Sequence, residues 1–209
     1  MTTVWDQRFA GDEFAYGLAP NRWLEETAPK AIAPGGKVLS LGEGEGRNAV
    51  WLARQGFQVD AVDGSSVGME KAQRLAAKAG VSIQTTVADL ASYRPAEGAY
   101  DAVVLVYVHL PPALRPRVHQ AAQKALKPGG VLVLEAFTPR QLGRPSGGPP
   151  VAEMLYEPTQ LASDFPALLW DSLAEKEIVL DEGALHRGPA MVVRALGRLP
   201  KDPKLGGCF

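Results

Sequence analysis

Residues 37–48 read Lys-Val-Leu-Ser-Leu-Gly-Glu-Gly-Glu-Gly-Arg-Asn, and the fold turns on this stretch. A short apolar strand runs into Gly42, Gly44 and Gly46, and a helix follows at once. Glycines at such a strand-to-helix turn let backbone N–H groups approach a ligand where a Cβ would clash. The third glycine is the informative one. A dinucleotide-binding turn of the form G-x-G-x-x-G needs a glycine at 47, and this chain has Arg47. The compact G-x-G-x-G is followed about 20 residues later by Asp63, an acid at a strand end.

Working outward, the pattern alternates. A helix is expected near 46–55 with Gly56 as its stop, a strand over 57–62 ending at Asp63, and a helix from about 66 to 79 closed by Gly80. Residues 81–89 alternate as a strand ending at Asp89, and 101–108 is a nearly unbroken apolar run, as in a buried parallel strand. A helix near 113–126, a turn at Pro128-Gly129-Gly130 and a strand over 131–137 follow. Strands and helices alternating at this length give a parallel sheet with right-handed crossovers. The last third departs from that rhythm. Residues 138–150 are rich in Gly and Pro and read as a loop or lid, 159–165 as a short helix. Residues 168–180 and 190–198 read as two strands joined across Asp181-Glu182-Gly183, an antiparallel hairpin added to the sheet edge. The fold class expected is thus α/β: a Rossmann-like, doubly wound, seven-stranded, mostly parallel sheet with an antiparallel edge hairpin. The whole of 1–209 is expected to be one domain, with 1–36 as an N-terminal cap segment and 138–167 as a lid or substrate insertion.

Composition narrows the partners. Basic and acidic residues nearly cancel (22 against 23, net charge −1), which gives no electrostatic footprint for nucleic acid and no polybasic membrane patch. No apolar run reaches the roughly 20 residues that span a bilayer, and the first residues lack the order of a signal peptide. The single cysteine, Cys208, excludes an intramolecular disulfide and fits a cytoplasmic location. His109, His119 and His186 have no metal-ligand spacing, so no metal site is expected.

The motifs in their order resemble those of class I S-adenosylmethionine (AdoMet) methyltransferases: Leu-Gly-Glu-Gly-Glu-Gly-Arg-Asn (41–48), Ala-Val-Asp-Gly-Ser (61–65), Ala-Asp-Leu (88–90), Tyr-Asp-Ala-Val-Val (100–104) and Leu-Lys-Pro-Gly-Gly-Val-Leu-Val-Leu-Glu (126–135). The opening Trp5-Asp6, Arg8-Phe9, Tyr16-Gly17 and Pro20-Asn21, with Gly-Arg-Asn after the glycines, is similar to the branch of tellurite-resistance and thiopurine-type enzymes. The resemblance implies AdoMet as cofactor, S-adenosylhomocysteine as product and a small-molecule methyl acceptor. It implies a cofactor set of Gly42, Glu43, Gly44, Gly46, Asn48, Asp63, Gly64, Ser65, Asp89, Leu90 and Val106. In that set the glycine loop and helix N-terminus take the amino-acid end, Asp63 both ribose hydroxyls, and Asp89 with the Leu90 N–H the adenine. The family often has an acid at the position of Ser40 and a small residue or Cys at that of Glu43. Glu43 either reaches the ligand ammonium or faces solvent.

For the chemistry, Tyr16, Tyr107 and His109 are the candidate catalytic residues. Tyr107 and His109 end the fourth strand, where ligands of open α/β sheets bind, and a histidine there can act as general base. Its competing role is a bond to a loop carbonyl. Arg47 is expected at the surface or behind the site, His119 on an exposed helix face, and Trp5, Phe9 and Trp23 as packing residues. Arg140 and Arg144 either clamp an anionic acceptor or stay solvated; the role of His186 stays open. The rival functions are an NAD-dependent oxidoreductase and a non-catalytic AdoMet-binding protein, and a monomer or weak dimer is expected.

Overall fold

A computed structural model describes residues 3–201, so Cys208 and what was expected of it lie outside the described residues. Seven strands form one sheet: β1 (Lys37–Leu41), β2 (Gln58–Asp63), β3 (Gln84–Val87), β4 (Tyr100–Val106), β5 (Leu126–Phe137), β6 (Leu169–Asp181) and β7 (Arg187–Arg198). Their order is β3-β2-β1-β4-β5-β7-β6. The first five are parallel, and β7 runs antiparallel to both β5 and β6. The sequence-based fold class stands.

Residue period decides which side each helix covers. Val38, Ala102, Val104, Val131 and Val133 face α2 (Arg22–Ala31), α3 (Arg47–Arg54) and α4 (Ser66–Lys78). Leu39, Leu41, Val103, Leu105, Leu132 and Leu134 face α5 (Arg115–Ala125) and α6 (Pro158–Asp164). Because strand side chains alternate, one strand feeds both layers, and its centre must be apolar on both faces. A short α1 (Val4–Phe9) lies against α4.

The N-terminal segment is held by one buried cation. Lys71 Nζ donates to the carbonyls of Gly11 (2.8 Å) and Glu13 (2.7 Å) and pairs with Glu45 at 2.6 Å. Asp6 caps α1 through the Thr3 N–H and accepts from the Ser65 hydroxyl at 2.7 Å. The Gly/Pro-rich stretch after β5 is likewise fastened. Gln141 accepts from the Met191 N–H (2.8 Å) and donates to Ser146 and Gly147, tying the loop to β7.

One expectation is corrected here and one pair of alternatives is narrowed. His119 is fully buried rather than solvated: it stacks on Phe165 (4.7 Å) and bonds Asp164 (2.9 Å), which Arg115 also holds at 2.7 Å. For Arg140 and Arg144 the structure favours the solvated alternative: they pair at the surface with Glu175 (2.8 Å) and Glu177 (2.7 Å) on β6.

Candidate active site

At the carboxyl ends of β1, β2 and β4 lies a cavity of about 630 Å³. Gly42, Glu43, Gly44, Asn48, Asp63, Gly64, Asp89, Leu90, Val106, Tyr107, His109 and Tyr16 all line it. Gly46 and Ser65 do not. Gly46 sits at φ 95° where a Cβ would lie 2.6 Å from Ala72, so it permits the approach of α3 to α4. Ser65 caps α4 by accepting from the Gly68 N–H at 3.0 Å. That capping leaves Asp63 free of the helix-cap role.

The glycine loop is wired differently from the expectation. The N–H groups of Gly42 and Glu43 both donate to Val62 O (2.8 and 3.2 Å), and that of Gly44 donates to Asp63 Oδ2 (2.9 Å). The first turn of α3 is also taken, for Glu43 Oε1 accepts from the N–H of Asn48 (3.1 Å) and Ala49 (2.8 Å). The carboxylate therefore stands where a helix N-terminus would otherwise attract an anion. Its other oxygen accepts from the Ser40 hydroxyl. The acid expected at position 40 has in effect moved to 43, with Ser40 supporting it. Burial pushes the Glu43 carboxyl up to about 7 against the pull of these donors and of Arg47.

Asp63 receives one backbone N–H on each oxygen, from Gly44 and from Ser65 (2.8 Å). Burial raises its pKa above the usual carboxylate value. A carboxylate oxygen has two lone pairs, so each can accept once more. Asp89 is exposed, with Oδ1 accepting from the Ala91 N–H at 2.8 Å.

Of the two roles expected for His109, the geometry favours the bond to a loop carbonyl over the general base. Nδ1 lies 2.7 Å from Met154 O, and Nε2 accepts from the Phe137 N–H at 3.2 Å. A ring that donates to a carbonyl through Nδ1 and accepts an amide at Nε2 has no lone pair left for an acceptor's proton. Burial pushes its pKa down to about 4. His109 thus clamps the end of β5 to the 150s segment.

Tyr107 has φ 55°, the one non-glycine residue in the left-handed region among the described residues. Such a conformation costs on the order of 1–3 kcal/mol and persists only where its surroundings fix it. They do: its hydroxyl donates to Glu135 (2.7 Å) and its ring stacks on Phe137 at 4.7 Å. Glu135 is 0% exposed and also meets Asn21 Nδ2 (2.6 Å) and Arg194 Nε (2.5 Å).

Several residues reach the site unannounced by the sequence. Arg47 is buried, lines the cavity and pairs with Glu182 at 2.8 Å; an arginine directly after the third glycine was the available signal. Phe9 is buried against Gly44, and Trp5 is 44% exposed and stacks on it, so neither is an ordinary packing residue of the sheet. Trp23 packs as expected and bonds Ala195 O at 3.3 Å. His186 comes in from the β6–β7 turn between Tyr16 and Tyr107, 4.6 Å from each ring. There a Cβ on Gly183 would stand 2.4 Å from Gly17 N. Two glycines thus let the N-terminal segment and the hairpin turn meet over the cavity.

No helix among the described residues is long and apolar enough to cross a membrane, and no group of metal-ligating side chains occurs among them. Residues 38–130 match the family model described as a methyltransferase domain. The ubiquinone biosynthesis O-methyltransferase of Xanthomonas campestris is 32% identical over 127 residues, covering 58% of this chain and 51% of that protein. The ribosomal RNA small subunit methyltransferase C of Alcanivorax borkumensis is 36% identical over 115 residues, 48% of this chain and 32% of that protein. This chain therefore spans about half the length, or less, of these curated relatives. Among solved structures, one of the conversion of a disulfide bond into a thioacetal group during echinomycin biosynthesis aligns with a TM-score of 0.78 at 18% identity. It covers 97% of this chain and 93% of that one. TehB from Haemophilus influenzae aligns with a TM-score of 0.70 at 20% identity, covering 93% of this chain and 65% of that one. Residues 38–130 thus match a methyltransferase domain, and the sheet order and the solved structures agree with that match in fold.

Proposed function

We propose that the protein transfers the methyl group of AdoMet to a small-molecule acceptor. The observation that carries this reading is the wiring of the glycine loop. A site for a dinucleotide offers N–H donors and a helix N-terminus to a pyrophosphate. Here the N–H groups of Gly42, Glu43, Gly44, Asn48 and Ala49 are spent on Val62, Asp63 and Glu43, and a carboxyl group stands at the helix N-terminus. That surface repels phosphate and suits a ligand with an ammonium and a ribose diol, which AdoMet has and NAD serves poorly. Glu43 faces the ammonium, Asp63 forks onto the ribose hydroxyls, and Asp89 with Leu90 takes the adenine edge. Bound AdoMet supplies an electrophilic methyl on a sulfonium, whose departure as a neutral thioether needs no acid. The protein's work is then alignment and exclusion of water.

The acceptor side is walled by Tyr16, Tyr107, Phe137, Met154 and Pro149-Pro150. Such apolar and aromatic walls suit a flat organic molecule better than an inorganic oxyanion, and the O-methyltransferase relatives support the same class. A net charge of −1 argues against a polynucleotide acceptor, although one relative acts on ribosomal RNA. The N-terminal segment up to residue 36 and segment 138–167 serve as cap and lid in this reading.

Calorimetry with S-adenosylhomocysteine tests it. The wild type binds, NAD does not, and Asp63→Ala weakens binding by about 1.5–3 kcal/mol for each charged hydrogen bond lost. Unchanged affinity in the variant removes Asp63 from the ribose site. No S-adenosylhomocysteine binding by the wild type removes the function.

A further inference from the structure

With His109 engaged on both nitrogens, the cavity needs another candidate for handling an acceptor's proton, and His186 is placed for it. We infer that His186, oriented by Glu182, is the base that removes the acceptor's proton, and that the acceptor is an aromatic hydroxyl compound taken into the cavity that Tyr16, Tyr107 and Phe137 line. This rests on the methyltransferase reading above.

The geometry carries the assignment. His186 is only 5% exposed and lines the cavity. Its ring lies 4.6 Å from those of Tyr16 and Tyr107 and 5.3 Å from that of Phe137. Neither ring nitrogen has a hydrogen-bond partner among the described residues. Nδ1 is fully buried and stands 4.0 Å from Glu182 Oε2. A buried polar atom without a partner is costly, and the nearest remedy is a short movement of the ring toward Glu182. That movement places the proton on Nδ1 and leaves the Nε2 lone pair for a ligand in the cavity.

Glu182 is fit to orient it. Its carboxylate is held by Arg47 at 2.8 Å and Asn21 at 3.2 Å, and its N–H closes the turn onto His186 O at 2.8 Å. Burial raises its pKa, but His186 and Arg47 together outweigh burial and keep it ionised. The groups facing the imidazole are Glu182, Arg47, Arg8, His109, Tyr16 and Tyr107. Burial lowers the histidine's pKa, with the two arginines adding to it and Glu182 opposing, so the ring is neutral and ready to accept at pH 7.

The step balances. As the acceptor oxygen bonds the methyl carbon, the carbon–sulfur bond breaks and its electron pair stays on sulfur. The O–H proton passes to His186 Nε2, and Glu182 stabilises the imidazolium until water removes the proton. A neutral phenol needs such a base, and its ring matches the aromatic walls.

The test uses 4-nitrophenol, whose phenolate absorbs in the visible, bound to the full chain saturated with S-adenosylhomocysteine. The apparent pKa of the bound phenol should fall about one unit or more below its value in the His186→Asn complex. In the wild type, nitrogen-15 NMR should show an imidazolium appearing as the phenol binds. Equal phenol pKa values in the two proteins, or no imidazolium signal, overturn the base. A wild type that binds S-adenosylhomocysteine but no phenol overturns the acceptor class. The NMR arm needs no variant, so a misfolded His186→Asn leaves the proposal falsifiable. Loss of S-adenosylhomocysteine binding by the wild type strikes the methyltransferase reading instead.

Discussion

The two halves of the cavity are built by different means. On the β1–β2 side, the contacts that shape the site span few residues: Glu43 reaches Asn48 and Ala49, Gly44 reaches Asp63, and Ser65 caps its own helix. On the β5–β7 side the same work is done by charged side chains far apart in the chain. Asn21 meets Glu135 across 114 residues, Arg47 meets Glu182 across 135, and Glu135 meets Arg194 in the neighbouring strand. The first half is a turn motif that carries its own hydrogen bonds. The second is a buried polar network whose members all depend on tertiary structure. A network of that kind is costly when one member is missing, because the partners stay buried and unpaired.

Removing the centre of the network should give the largest effect. Glu135→Ala leaves Arg194, Asn21 and Tyr107 without their common acceptor. Chemical denaturation should show a loss of about 3–5 kcal/mol. A loss below about 1 kcal/mol would mean that the β5–β7 side is no more interdependent than the glycine loop.

The glycine-loop side should respond to pH rather than collapse. Glu43 has a folded pKa raised to about 7 from an ordinary 4.5. Between those values the folded state holds a proton that the unfolded chain has lost. The protein is therefore most stable below about pH 4.5 as far as this group is concerned, and that contribution disappears as pH rises through 7. A ligand ammonium beside Glu43 favours the ionised form, so binding expels the proton. S-adenosylhomocysteine should bind roughly fivefold more tightly at pH 7 than at pH 6. Calorimetry in two buffers of different ionisation enthalpy should detect proton release, and Glu43→Gln should show neither effect. Proton uptake by the wild type would place the ammonium elsewhere.

The smallest effect is expected at His109, which the β4–β5 corner uses as a clamp. His109→Ala should lower stability by about 1–2 kcal/mol, from two lost hydrogen bonds. It should leave S-adenosylhomocysteine affinity within about twofold, and turnover should fall far less than in His186→Asn. A turnover loss of roughly 10²-fold or more at unchanged stability would restore its role as base.

The contrast between the halves also explains what could be read from the chain. The alternation of strands and helices, the edge hairpin and the lining by Gly42, Gly44 and Asp63 follow from period, punctuation and local spacing, which survive in a linear reading. The roles of Arg47, Glu135, Glu182 and His186 do not, because each is fixed by a partner on another element. His119 was misplaced and the choice between the two roles of His109 stayed open for the same reason: position along a strand or helix said nothing of Asp164 or Met154 O. The direction of the loop's N–H groups was equally hidden, since it depends on which carbonyl of β2 lies beside them.

The Arg47–Glu182 pair bears on how the protein is made. During synthesis the glycine loop and Arg47 leave the ribosome long before Glu182, and the strands up to β5 can pair without the hairpin. Until the β6–β7 turn arrives, Arg47 keeps its guanidinium in water, and neither Glu182 nor His186 stands at the cavity. The glycine loop can thus assemble early, whereas the cavity wall that carries His186 forms only with the β6–β7 hairpin.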